Sequence, residues 1–374
     1  MGSLSDLAGL AQPDKLQNSE EPMASVICLF NHKGGVSKTT TAFNLGWMLA
    51  DKAKRVLLVD CDPQCNLTGM VLGFKKLEDL QSILGTGTPK NIRDGLAPAF
   101  ESRPEPIRAV ECVSIPGNNN LYLLPGHIGL AEYEVTLGIA QELSGSLVTL
   151  RNLPGSIRHL IVETAKAYSI DYVIIDMSPS LGSVNQNLLM TSEYFLVPMH
   201  PDYFSMMGID SLANVIPKWR AWAERAQHMP LLAEASYPFP HVLPKFLGSI
   251  VQKYRPRGES VPAKAFQQWI DQLQTGLAER LLPALRRANM VLPEEVYERA
   301  GFSPETPLLQ MPDFNSLIAQ SQKHHVPVFA LSDAQLEQVG VVLEGTKESM
   351  KKFHGLFSAA ADRVITIIDN ATGN

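Results

Sequence analysis

The sequence predicts an α/β fold, a doubly wound, mostly parallel sheet flanked by helices. Three observations predict it. The apolar runs "SVICLF", "KRVLLVD", "DYVIID" and "YFLVP" are short and lack polar alternation, as expected of strands buried on both faces of a parallel sheet. Stretches with helical apolar spacing, such as "TTTAFNLGWMLADKA", lie between them, giving a strand, loop, helix and strand within about forty residues. This alternation continues over most of the 374 residues.

Taken in order, residues 1–24 are polar, end in the loop-like "NSEEPMAS", and read as an N-terminal extension. Residues 25–370 read as a single domain. After the first two strands, "ECVSI" and "NLYLLPG" predict strands, with helices near 128–142 and 155–168. "DYVIIDMSPS" is a further buried strand, a helix follows near 183–192, and "YFLVPMHP" is a strand ending in prolines. "FLGSIVQ" and "TPLLQMP" complete the set. Two insertions are expected, near 84–108 and 228–310. The first is rich in Gly and Pro, and the second opens with four prolines in "HMPLLAEASYPFPHVLPK", so both of these stretches predict loops. Residues 262–297 read as helical and form a small subdomain at one edge. Near the C-terminus Met350, Phe353, Leu356, Phe357, Ala360, Val364, Ile367 and Ile368 share one helical stripe. Lys347, Lys351 and Lys352 lie only near the start of that helix, so it is expected to pack on the sheet rather than lie on a membrane.

Hydrophobic residues make up 45% of the chain and charged ones 19%, which predicts a soluble globular protein. No run of eighteen apolar residues occurs, and "MGSLSDLAGLAQPDK" lacks a basic region followed by an apolar stretch; neither a spanning helix nor a secretory signal is expected. Asp6 occupies the Ser/Thr position of a myristoylation motif. Cys28, Cys61, Cys65 and Cys112 lack zinc-like spacing and are expected to be reduced thiols in a cytoplasmic protein. The net charge of −6 excludes a wholly basic nucleic-acid binder but not a local basic patch.

The segment "NHKGGVSKTTT", Asn31 to Thr41, follows a buried strand and opens a helix. Its lysine-threonine pair, Lys38-Thr39, matches a phosphate loop, yet His32 and Ser37 stand where the usual spacing places glycines. The physics survives the mismatch. Backbone N–H groups and the positive helix end face one point, Gly34 and Gly35 allow close approach of a ligand, and Thr39 offers a hydroxyl to Mg²⁺. Asp60 and Asp62 close the second strand beside this loop. Asp176 ends the apolar strand "YVIID", where a charge needs a partner.

"KGGVSKTT" resembles the deviant Walker A motif, K-G-G-x-G-K-[ST], of the ParA/MinD group of P-loop ATPases. Further blocks are similar to the ParA-type partition ATPases in order: "VLLVDCDPQCNLT", "LYLLPGHIGLAEYEVTL", "YSIDYVIIDMSPSLGSVNQNLL", "FLVPMHPDYFSMMGIDSL" and "HHVPVFALS". The likeness spans roughly residues 25–370 and is weakest at 84–108 and 220–310. It implies a P-loop NTPase fold, ATP and Mg²⁺ as cofactors, and an ATP-dependent homodimer. Residues Lys33, Gly34, Gly35, Val36, Ser37, Lys38, Thr39 and Thr40 would bind ATP, with Lys38 on the phosphates of its own subunit and Lys33 reaching the partner's. Thr39, Asp60 and Asp176 would hold Mg²⁺, and Asp62 would position the attacking water. Ser37 departs from the family's glycine, and Met177 and Ser178 depart from its small residue and proline; His32 stands where the family varies and receives no role. For adenine the family uses a segment like I-P-x-N, to which "MPDFNSL" offers Pro312 and Asn315, with Phe314 as an alternative stacking residue or a core side chain.

The resemblance also implies nonspecific DNA binding. "VQKYRPRG" is similar to a DNA-contacting turn of the family, so Lys253, Arg255 and Arg257 are the candidate contacts. The second arginine expected of the family is replaced around Asp313 and Phe314, which removes one phosphate contact. A partner following the family pattern would be a ParB-like adaptor. Three functions remain open on the sequence: a cytoplasmic ParA-type ATPase that positions a cargo and is reset by slow, partner-stimulated hydrolysis; a nucleotide-gated interaction protein with little hydrolysis and no DNA binding; and a metabolic P-loop amidase or ligase.

Overall fold

The computed structural model describes residues 24–73, 88–143, 148–254, 256–257, 261–262 and 264–373. Most of the N-terminal extension lies outside them. Eight strands form one sheet: β1 (Ser25–Leu29), β2 (Val56–Cys61), β3 (Val113–Ser114), β4 (Leu121–Leu124), β5 (Tyr172–Met177), β6 (Tyr194–Met199), β7 (Lys245–Tyr254) and β10 (Pro307–Pro312). Two short strands, β8 (Pro256–Arg257) and β9 (Val261–Pro262), pair separately. The main sheet runs β10-β7-β6-β1-β5-β2-β4-β3, and all its pairings are parallel except β3 on β4.

The sheet has helices on both faces, as the uninterrupted apolar strands require. In β1, Val26 and Cys28 face one core and Ile27 and Leu29 the other, the two-residue period of a strand. On the second face lie α1 (Lys38–Asp51) and α2 (Asn66–Leu72). The first face carries α3 (Ile92–Phe100), α4 (Leu130–Glu142), α5 (Leu153–Ala167), α6 (Ser183–Met190) and α7 (Tyr203–Gln227). A single turn, α8 (Pro230–Ala233), precedes β7. Beyond α7, in the core of the first face, lie α9 (Lys264–Gly276), a π-helical turn at Leu277–Leu281 and α10 (Leu282–Arg287), and α11 (Glu294–Arg299) joins the second core; the helical reading of 262–297 anticipates these helices. After β10 come α12 (Ser316–His324), α13 (Asp333–Leu336) and the long α14 (Gly340–Thr372).

The stripe on α14 is core. Met350, Phe353, Phe357, Ala360, Val364, Ile367 and Ile368 are buried against the α1 face. The expected loop at 84–108 is corrected by α3. Asn91 caps it by accepting from the Asp94 N–H at 2.9 Å, and Ile92 and Leu96 bury one face. Counting Gly and Pro alone concealed that cap; Pro98 sits in the helix's last turns, where it ends a helix rather than prevents one. Among the described residues no helix is long and apolar enough to cross a membrane.

Candidate nucleotide site

The site forms where β1, β5 and β2 end. Their register sets Leu29 beside Asp176 and Asp176 beside Asp60, so the loop after β1 and two carboxylates meet at one sheet edge. In a doubly wound sheet the strands' carboxyl ends are where ligands bind. A cavity of about 490 Å³ opens there, lined by Gly34 through Thr40 and by Asp62, Met177 and Pro179.

The loop is held from beneath. The Asn31 amide donates to the Pro198 carbonyl at 2.8 Å, and its oxygen accepts from the Lys33 N–H at 2.9 Å. Gly35 has φ 75°, a conformation that disfavours any Cβ. Ser37 has φ 58° and ψ 35° and starts α1, so this position does require the left-handed region that the family's glycine would supply. Lys38 is 7% exposed, and its ammonium donates to the carbonyls of Asn31 at 2.8 Å and Lys33 at 3.2 Å. Burial lowers its pKa, against the opposing charges of Asp176 and Asp62.

The three aspartates differ. Asp62 lies just past β2, lines the cavity, and accepts from the Gln64 N–H at 2.9 Å. Asp60 is fully buried and already occupied: Thr68 donates through its N–H at 2.8 Å and its hydroxyl at 2.6 Å, and the Asp62 N–H donates at 3.2 Å. Burial raises Asp60 to about 6, with those hydrogen bonds opposing it. It braces the loop after β2. Asp176 is also fully buried, and neither of its oxygens has a partner in full hydrogen-bond geometry, the Thr39 hydroxyl beside it being the nearest donor acting on it. Burial and then the Asp60 charge push it up to about 8, while Thr39 and Lys38 pull the other way. An orphaned carboxylate next to a threonine hydroxyl and a phosphate loop fits a hard, oxygen-seeking cation such as Mg²⁺.

Lys33 points away from the cavity. Its ammonium lies 2.6 and 2.5 Å from the two oxygens of Asp202, which caps α7, and 5.7 Å from the Phe204 ring centroid. Burial would raise the Asp202 pKa, but Lys33 and the Ser205 N–H outweigh it and hold the carboxyl below its usual value. Around this pair Tyr203, Phe204 and Met207 expose large apolar side chains.

Sequence reasoning missed Gln64, Asn66, Gly69 and Met70, which line the cavity from the segment after β2, and Gln322 from α12. The "DPQCN" block was the available signal for the first two; nothing local marks Gln322. It also missed Asn185, whose amide pins the turn after β5 by donating to the carbonyls of Ser178 at 2.8 Å and Ser180 at 2.9 Å. Pro312 ends β10 and Asn315 starts α12, and neither is among the lining residues. Phe314 is core, 4% exposed and packed on Phe353 and Phe357, so it is not a stacking surface. Arg255 falls outside the described residues, as do the side chains of Lys253 and Arg257.

A phosphate loop between a central parallel strand and a helix, with a buried carboxylate at the end of the neighbouring strand, defines a P-loop nucleotide-binding protein. The comparisons make this specific: the AAA domain family's model matches residues 24–226, more than half of the chain, and the chain belongs to that family, as a ParA/MinD-type P-loop ATPase. It is 31% identical over 245 residues to MJECL24 of Methanocaldococcus jannaschii, covering 65% of this chain and 78% of that one. It is 30% identical to the sporulation initiation inhibitor protein Soj of Bacillus subtilis, over 52% of this chain and 65% of Soj. To the chromosome partitioning protein ParA of Myxococcus xanthus it is 34% identical, over 51% of this chain and 57% of ParA. The match thus spans less than two thirds of Soj and of ParA. In fold, it is similar to McdA of Cyanothece in complex with ATP, with a TM-score of 0.51 and 19% identity, over 88% of this chain and 97% of that one.

Proposed function

We propose that this chain is a dimerising ATPase of the ParA type, which closes face to face on ATP and Mg²⁺, acts as the dimer to position a cargo, and is reset by slow, partner-stimulated hydrolysis. One observation carries the reading: a second lysine, Lys33, stands outside the cavity on an aspartate, beside the exposed apolar residues Tyr203, Phe204 and Met207. Exposed apolar side chains clustered beside a functional loop suit a surface that becomes covered.

The chain's own groups divide the work. Lys38 and the N–H groups of residues 34–40 would receive the phosphates, exchanging the carbonyl partners of Lys38 for phosphate oxygens. Thr39 and Asp176 would hold Mg²⁺, which when bound neutralises the developing phosphoryl charge. Asp60 would keep the loop after β2 in place, and Asp62, at the cavity wall, would orient water. Lys33 would leave Asp202 to meet the partner's phosphates, making turnover depend on dimerisation. Nonspecific DNA, contacted through Lys253, Arg255 and Arg257, and a ParB-like adaptor complete the proposal; the name of the Myxococcus xanthus relative, a chromosome partitioning protein, supports a role of that kind.

The test is the mass in solution with Mg-ATP, Mg-ADP or no nucleotide, first alone and then with random duplex DNA. A dimer with Mg-ATP only, lost in Lys33→Ala and accumulating in Asp62→Ala, is the expected result. Turnover unaffected by Lys33→Ala refutes the lysine supplied in trans, and an ATP dimer indifferent to duplex removes DNA from the proposal.

A further inference from the structure

A second cavity, of about 540 Å³, opens between the C-terminal half of α7 and the end of α10, lined by none of the residues that line the nucleotide site. Its polar lining is Asn214, Arg220, Glu224, Arg287 and Asn289, and the rest is alanine and Pro217.

The charges there are unbalanced. The Arg220 side chain is only 15% exposed, and its Nε and Nη1 are buried without a hydrogen bond. The nearest carboxylate oxygen, Glu224 Oε2, is 3.8 Å from Nη1, too far for a hydrogen bond, and the Glu224 side chain is mostly in solvent. Arg286 is committed to Glu294 and Glu305, whereas its neighbour Arg287 makes no ion pair among the described residues. Lys245 lies behind the cavity wall, against Asn289. Its ammonium donates to the Asn289 carbonyl at 2.7 Å, and its pKa is lowered by burial and then by the Arg220 charge. Two cations and one exposed carboxylate thus line the cavity, with a third cation behind it. A mostly buried guanidinium without hydrogen bonds is unfavourable unless an anion reaches it.

We propose that this cavity binds a phosphorylated ligand, its phosphoryl group held by Arg220 and Arg287. Planar guanidinium groups match phosphate oxygens in pairs. The volume lies within the range of small-molecule sites, about 300–1,000 Å³, and exceeds what a bare phosphate fills. The alanine and proline walls suit an apolar body attached to that phosphate. A free phosphorylated metabolite and a nucleic-acid backbone share this chemistry.

The experiment is calorimetric titration of pyrophosphate into the full chain with the P-loop saturated by Mg-ADP. One pyrophosphate per chain is expected, with affinity falling at least about tenfold in Arg220→Gln and in Arg287→Gln and rising in Glu224→Gln, and with ADP binding unchanged. Because Arg287 is exposed, its variant keeps the test valid if Arg220→Gln fails to fold. No heat beyond that of pyrophosphate titrated into the Mg-ADP solution alone, or equal affinity in the wild type and Arg287→Gln, overturns the proposal. A second titration with random duplex present identifies the source: displacement of pyrophosphate assigns the site to a nucleic-acid backbone, and its retention to a free phosphorylated compound.

Discussion

Ser37 holds a left-handed backbone with φ 58° at the start of α1, where a Cβ meets its own carbonyl. That conformation costs a non-glycine residue roughly 1–2 kcal/mol, partly offset because glycine gains more freedom when unfolded. Ser37→Gly is therefore expected to stabilise the fold by somewhat under ~1 kcal/mol, read as a one- to two-degree rise in melting temperature. An unchanged or lower melting temperature would show that the serine is not strained. The Lys33–Asp202 pair gives a sharper residue-scale prediction. Both side chains are partly exposed, so the pair is worth up to ~1 kcal/mol. Asp202→Asn keeps an N-cap of comparable strength on α7 but removes the charge that holds Lys33. If Lys33 must leave to serve the partner, both copies release a pair on closing, and ATP-dependent dimerisation should occur at about two- to thirtyfold lower protein concentration, measured by sedimentation. A weaker dimer would mean that Asp202 assists the closed state instead. Most of the phosphate-loop residues were legible from their order alone. Asp202 was not, because 169 positions separate it from Lys33 and only the fold brings them together.

At the scale of elements, period and apolar runs made the main sheet readable, since strands buried on both faces leave no polar alternation to confuse them. What composition hid was packing. The proline-rich segment before β7 is a loop after the helical turn α8 at its start, which its prolines did not indicate, and it is fastened: the Tyr237 hydroxyl accepts from the Ile107 N–H at 2.8 Å, and Gln227 donates to the carbonyls of Pro240 at 3.1 Å and Val242 at 2.8 Å. Gly155 on α5 lies beneath it. A Cβ there would stand 2.1 Å from the Tyr237 carbonyl oxygen and 2.4 Å from that of Pro238. Backbone cannot rotate away as a side chain can, so the loop must move. Gly155→Ala is expected to destabilise by about 1–3 kcal/mol, the range for overpacking, despite alanine's better helix propensity. Chemical denaturation checks it. A variant as stable as the wild type would mean that the loop does not rest on α5. No sequence pattern marks such a glycine, because its constraint comes from carbonyls more than eighty positions away.

For the whole molecule, the two-layer packing around one sheet makes the nucleotide site a continuation of the core: Asp176, Lys38 and Asp60 are buried parts of the same structure that carries β1, β2 and β5. Ligand binding there must therefore appear as stability of the entire fold. Saturation at a hundred times the dissociation constant adds about 2.7 kcal/mol to the folded state. Both Mg-ATP and Mg-ADP should raise the melting temperature, and Lys38→Ala should abolish most of either rise. The two nucleotides should differ in one respect. If ATP closes two copies over the face carrying Tyr203, Phe204 and Met207, folding is coupled to association, and each tenfold increase in protein concentration adds about 1.4 kcal/mol per dimer. The Mg-ATP melting temperature should then climb with protein concentration, while the Mg-ADP value stays constant. Equal, concentration-independent shifts would leave the nucleotide site standing and remove the dimer, because the first depends on Lys38 and the second on a surface that only another copy can cover.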